Sequence, residues 1–129
     1  MTVDKLAGLH PDLVSKIGTL LAAMATLGFP MRVVQGLRTT EEQKALFAQG
    51  RTTPGSIVTK ADGVVNRSNH QAAQDGLGRA ADCAFVVGGK VVWDGPWAAY
   101  GANAMALGLV WGGNFRSIVD RPHVELPKV

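Results

Sequence analysis

Two stretches of this chain hold the residue types that hydrolytic metal chemistry requires. The first is Asn66 to Phe85, NRSNHQAAQDGLGRAADCAF, and the second is Ser117 to Leu126, SIVDRPHVEL. They contain His70 and His123, two of the three histidines, each near carboxylates in sequence. A reactive metal site needs a few nitrogen and oxygen ligands in one place and a base close to the bound water. Both stretches read as short strands or loops rather than as one helical motif, so the fold itself must assemble any such site. Taken alone, each histidine also fits a satisfied core residue.

Positioning these residues calls for a scaffold, and the chain is long enough to build one. Its 129 residues make a single domain with a real core, here 47% hydrophobic and 18% charged. The net charge of +3 comes from scattered Lys and Arg, without the basic runs or interleaved aromatics of a nucleic-acid face. A single cysteine, Cys83, excludes an internal disulfide and reads as a small buried hydrophobe. No signal-peptide pattern opens the chain, and the most apolar window, 17–29, is too short to span a bilayer. The expectation is a monomer made in the cytoplasm with no stable membrane insertion.

The elements follow from periodicity and punctuation. A first helix is predicted over Pro11 to Leu27, with Leu13, Ile17, Leu20, Leu21, Met24 and Leu27 on one face, ended by Gly28 and Pro30. His10 at its mouth reads as a surface or capping residue. Met31 to Gln35 reads as a strand, and Thr39 or Thr40 caps a second helix that carries Gln43 and stops at Gly50. Arg38, at the strand's end, is equally suited to a cleft or to a surface ion pair. A long connection over Arg51 to Arg67 includes one short strand at Ser56 to Thr59 and, at that length, is expected to be functional. Arg79 to Val87 is an apolar strand turning at Gly88-Gly89 into Lys90 to Trp93. A third helix covers Trp97 to Leu107, and strands follow at Leu109 to Trp111 and Arg121 to Leu126. This order predicts an α+β fold with a small antiparallel sheet.

Three segments together resemble a known signature. Ser68-Asn69-His70, Gly78-Arg79-Ala80-Ala81-Asp82 and Asp120-Arg121-Pro122-His123 look like the S-x-H, G-x-A-x-D and D-x-x-H motifs of the VanY-like D-alanyl-D-alanine carboxypeptidase superfamily of zinc peptidases. Gly36-Leu37-Arg38-Thr39, Glu42-Gln43, Gly50-Arg51-Thr52, Pro54-Gly55, Val58-Thr59 and Trp111-Gly112-Gly113-Asn114-Phe115 are similar to the L-alanyl-D-glutamate endopeptidases within it, which include phage endolysins. The resemblance runs from about Met31 to Leu126 and implies a Hedgehog/DD-peptidase-like fold.

It also implies roles. His70, Asp82 and His123 would bind one Zn2+, with water as the fourth ligand. Asp120 would be the general base, and Arg38 would stabilise the oxyanion or hold the substrate carbonyl. Ser68 and Glu125 would orient the ligands, and Gln43 and Trp111 would support the site or touch substrate. One spacing departs from the family: the aspartate ligand usually falls seven residues after the first histidine, where this chain has Leu77. Asp82 matches only across an insertion within Gln71 to Leu77, which leaves Asp75 as a rival.

The function implied is hydrolysis of the L-alanyl-D-glutamate bond of peptidoglycan stem peptides by a single domain, 1–129, with no separate wall-binding module. Phage-mediated lysis would suit it, with release to the wall through a holin-type pore. The alternatives are a D,D-carboxypeptidase removing terminal D-alanine and a non-catalytic wall-binding domain.

Overall fold

The structure, a computed structural model, describes residues 5–127. In chain order it contains helix α1 (Pro11–Thr26), strand β1 (Met31–Gln35), helix α2 (Thr40–Ala48), strands β2 (Ala80–Val87) and β3 (Lys90–Val92), helix α3 (Trp97–Ala106), strand β4 (Val110–Trp111), a 3-10 turn (Gly112–Asn114) and strand β5 (His123–Glu125). All strand pairs are antiparallel, in the order β1-β2-β5-β4, and β3 pairs with the far end of β2. The α+β class read from the sequence is the class observed.

Helix α1 begins where the sequence places it. His10 is its N-cap, and the His10 ring accepts a hydrogen bond from the Asp12 amide at 3.1 Å, while Pro11 fills a position whose missing N–H costs nothing. Leu13, Ile17, Leu20 and Met24 are buried at three- and four-residue steps. Leu27, expected on that face, is exposed because the helix ends at Thr26 and the chain turns through Gly28 at φ 94°. Helix α2 starts with a reciprocal capping box: the Glu42 amide donates to Thr39 Oγ1 and the Thr39 amide donates to Glu42 Oε1.

Strand β2 divides the molecule into two sides. Ala81, Cys83 and Phe85 point into one hydrophobic core with α1, Tyr100 and Ala104 of α3, and Val124 of β5. Burial pushes the Cys83 thiol up to about 12, as fits an inert core cysteine. The alternate residues, Ala80 and Asp82, face the other way, and the register Asp82↔His123 and Ala80↔Glu125 puts His123 and Glu125 beside them. One face of the sheet is therefore core, and the other carries the polar groups.

The strand expected at Ser56–Thr59 is absent. No neighbouring strand pairs with this segment, and side chains hold its backbone instead: Gln49 Nε2 donates to the Ser56 carbonyl at 3.0 Å and Arg51 Nη1 to the Thr59 carbonyl at 3.2 Å. Among the described residues, no helix is long and apolar enough to cross a membrane.

Candidate metal centre

Three side chains converge on the polar face of the sheet. His70 follows a turn in which its amide donates to Ser68 Oγ, and its carbonyl accepts the Arg38 amide at 2.7 Å, which ties this loop to the end of β1. His70 Nε2 lies 3.1 Å from His123 Nδ1, and each of these nitrogens lies 3.4 Å from Asp82 Oδ1. Both histidines are buried, and Asp82 Oδ1 is buried without a hydrogen-bond partner.

The other nitrogen of each ring is already engaged. His70 Nδ1 is 2.9 Å from the Gly36 carbonyl, which can only accept, so Nδ1 carries the proton. His123 Nε2 is 2.7 Å from Glu125 Oε1, and Asn69 Nδ2 donates to the other Glu125 oxygen at 2.5 Å. With His123 neutral, two imidazole lone pairs and one carboxylate oxygen thus face a common point with no donor among them. Such a set calls for a proton or a metal cation between them. A tetrahedral zinc ion with ligand bonds of about 2.0–2.1 Å has ligand-to-ligand edges of about 3.4 Å, close to the three distances found. The His-Asp-His group could therefore hold a metal ion.

The electrostatics agree with this geometry. Burial alone would raise the Asp82 pKa, but the two histidines outweigh it and hold the carboxyl well below its usual range. Burial would lower the pKa of His123, yet the neighbouring carboxylates of Asp82 and Glu125 outweigh it and raise it to about 9.

Asp120 and Arg38 flank the triangle. Asp120 Oδ2 is 3.8 Å from His123 Nδ1. Its segment is fastened by the Asp120 amide donating to the Gly112 carbonyl at 2.9 Å and by the His123 amide donating to the Asp120 carbonyl. That close approach requires glycine at 112, where a Cβ would lie 2.2 Å from the Asp120 carbonyl oxygen. Burial, then the neighbouring Asp82 charge, raises the Asp120 pKa. Arg38 is not a surface ion pair. Burial lowers its pKa, Asp82 and Asp120 oppose that shift, and its Nε is buried with no partner. Its Nη1 donates to Gln43 Oε1 at 2.6 Å.

The remaining predicted residues fall in different places. Gln43 is fully buried behind Arg38, and its amide nitrogen donates to Thr59 Oγ1 and to the Ala61 carbonyl. Ser68 and Glu125 line the groove and contact His70 and His123 as described above. Trp111 is elsewhere: it pairs with Val124, so it lies on the core face, packed where a Cβ on Gly101 of α3 would sit 2.3 Å from its ring. Its indole N–H donates to the Arg121 carbonyl at 2.8 Å, bracing the Asp120 loop from behind. Asp75 is taken up by Arg79 at 2.6 Å, which holds its carboxyl down at about 2, and it is not part of the His-Asp-His group.

Three participants were not singled out from the sequence: Asn69, the Gly36 carbonyl, and Phe115, whose ring centroid lies 5.4 Å from that of His123. Asn69 could have been found from its place between Ser68 and His70. A main-chain carbonyl leaves no such signal. A groove of about 530 Å³ runs over the centre, with Ile57 and Val58 on one side and Phe115, Ile118 and Val119 among the other lining residues.

No family model matches the chain. It is 32% identical over 128 aligned positions to the peptidoglycan L-alanyl-D-glutamate endopeptidase CwlK of Bacillus subtilis, covering 92% of this chain and 73% of that protein. Its fold matches the L-Ala D-Glu endopeptidase ChiX of Serratia marcescens with a TM-score of 0.62 and 28% identity, over 95% of this chain and 84% of that one. It also matches the vancomycin resistance D,D-pentapeptidase VanY, solved in complex with Zn(II), with a TM-score of 0.66 over 98% of this chain and 78% of that one; at 15% identity this likeness speaks for the fold alone.

Proposed function

This chain belongs to the family of peptidoglycan L-alanyl-D-glutamate endopeptidases, and from that premise we propose that it hydrolyses the L-alanyl-D-glutamate bond of stem peptides with zinc as cofactor. It is a peptidoglycan peptidase; the bond, the metal and the residue roles are this reading's own. The observation that carries it is the triangle of His70 Nε2, Asp82 Oδ1 and His123 Nδ1, three acceptors with edges of 3.1, 3.4 and 3.4 Å.

When bound there, a divalent cation supplies Lewis acidity, which makes water a competent nucleophile near neutral pH and polarises a carbonyl. The chain's own groups do the rest. His70 and His123 are held in the ligating tautomers by Gly36 and Glu125. Asp120 takes the proton of the attacking water and returns it to the departing amine; its raised pKa makes it a better base than an ordinary carboxylate. Arg38, fixed by Gln43, sets a permanent positive charge against the scissile carbonyl oxygen as negative charge develops on it.

Purified peptidoglycan incubated with the protein, with and without a chelator, tests this by mass spectrometry of the soluble products. Chelator-sensitive fragments with a new D-glutamate amino terminus are expected. Release of free D-alanine alone would replace the endopeptidase with the carboxypeptidase reading. For the wider setting we propose phage or prophage lysis, checked by whether lysis from within depends on co-expression of a holin-type pore.

A further inference from the structure

The groove carries a second cation with no task in the chemistry above. Lys60 lines it beside Arg38, yet among the described residues Lys60 forms no ion pair. Its backbone is firmly placed. The Ala61 amide donates to Thr59 Oγ1 at 3.1 Å, closing a small turn with Lys60 at its tip. Gln43 Nε2 holds both sides of that turn, Thr59 Oγ1 and the Ala61 carbonyl, while Gln43 Oε1 holds Arg38. One buried amide thus sets two cations on a single wall, a half-buried guanidinium within and an exposed ammonium at the rim.

The balance of charge shows what such a cation could meet. Arg38 and Lys60 face three carboxylates in the groove, Asp82, Asp120 and Glu125. With a divalent ion held by the His-Asp-His group in place of the His123 proton that balance is net positive, so the loaded groove suits an anionic ligand. The substrate class has an anion in a fixed place. In an L-alanyl-γ-D-glutamyl peptide the D-glutamate α-carboxylate is free, and its carbon lies two bonds from the scissile nitrogen, within about 4 Å of the carbonyl carbon under attack. A cation that binds it must stand within a lysine's reach of the group that holds that carbonyl.

We propose that Lys60 is a specificity-determining residue that pairs with the free α-carboxylate of the D-glutamate next to the scissile bond. This rests on the endopeptidase reading, which the test separates from it. An exposed ammonium covered by a bound carboxylate gains a charge-assisted hydrogen bond that an uncharged isostere of the ligand cannot supply.

The experiment uses zinc-loaded protein and two synthetic peptides, N-acetyl-L-alanyl-γ-D-glutamyl-L-lysine and its counterpart with the D-glutamate α-carboxyl converted to the carboxamide. The readout is the ratio of kcat/KM for carboxylate over carboxamide. A ratio of about ten is expected for the wild type, on the scale of one partly desolvated charged pair. Lys60→Ala should bring the ratio toward one, Lys60→Arg should keep it, and metal content should stay equal in all three. A ratio unchanged by Lys60→Ala, or a wild-type ratio of one, overturns this inference and leaves the endopeptidase reading intact. Cleavage of neither peptide by the wild type overturns both.

Discussion

His70 Nε2 and His123 Nδ1 face each other at 3.1 Å, and each ring has committed its other nitrogen to an acceptor, the Gly36 carbonyl in one case and Glu125 in the other. The two rings enter as opposite tautomers, one through ε and one through δ. Two lone pairs cannot sit this close without a positive charge to share. In the metal-free protein a proton on His123 can serve, and its pKa is raised to about 9 because Asp82 and Glu125 outweigh burial.

A divalent ion must displace that proton. Its apparent affinity should therefore rise with pH, close to tenfold per unit from pH 7 up to about 9, with one proton released per ion. Calorimetry in two buffers of different ionisation enthalpy measures the release. Affinity that is flat over this window would be inconsistent with the shared proton.

The same two shifts set the pH dependence of metal-free stability. The folded pKa of His123 lies above its unfolded value, so its contribution is complete below about 6.5 and lost as pH rises through about 9. Asp82 is shifted down, so its contribution is present above about 3.8 and disappears as pH falls further. Chelator-treated protein should show its highest Tm between these limits. Metal should flatten the alkaline fall, since the ion replaces the proton.

Substitutions should separate binding from turnover. His123→Ala should lose both bound metal and activity. Asp120→Asn should keep stoichiometric metal and lose about 10²- to 10⁴-fold in kcat, the usual worth of a positioned base. Metal analysis alongside turnover of a stem peptide decides it, and an Asp120→Asn protein with near-normal kcat would remove Asp120 from that role.

Asn69 and Glu125 would act on a bound ion through His123. Asn69→Ala frees one oxygen of Glu125 and loosens the carboxylate that aligns the ring. Metal affinity should fall about tenfold, at the lower end for such outer partners, and Glu125→Gln should cost more. Competition with a zinc-binding dye gives the constants; an Asn69→Ala affinity equal to wild type would mean that Glu125 is aligned without it.

Gly112→Ala should harm catalysis from behind the site. The new methyl would lie 2.2 Å from the Asp120 carbonyl oxygen and 2.9 Å from His123 Cβ. The loop must move, at about 1–3 kcal/mol of stability as for other overpacking changes. The kcat should fall at saturating metal, because Asp120 shifts relative to the triangle. Unchanged Tm and kcat would show that the loop gives way freely.

Local physics made much of this readable in advance. The buried stripe of α1, the threonine cap of α2 and the Gly88-Gly89 hairpin all depend on neighbours a few residues apart. Asp82, His70 and His123 were legible as residue types in a familiar order. What stayed hidden depends on long-range pairing. Trp111 belongs to a motif-bearing run, but its register with Val124 turns it toward the core, and a one-residue slip would have reversed that. Ser56–Thr59 has strand-forming residues and no partner strand. The resemblance singles out Gln43, but not what its amide reaches: Thr59 and Ala61, 16 and 18 residues away, are beyond any local pattern.

The three side chains of the His-Asp-His triangle come from a loop, from β2 and from β5, and the two histidines are 53 positions apart in the chain. No fragment ending before residue 123 can hold the ion in this way, and no local hairpin can rehearse the site during folding. Ion capture is therefore a late event that reports a completed sheet, placed behind the slow closure of distant strand pairs. A growing chain that has not yet reached His123 therefore lacks the complete triangle, and whatever activity depends on it waits for the last strand.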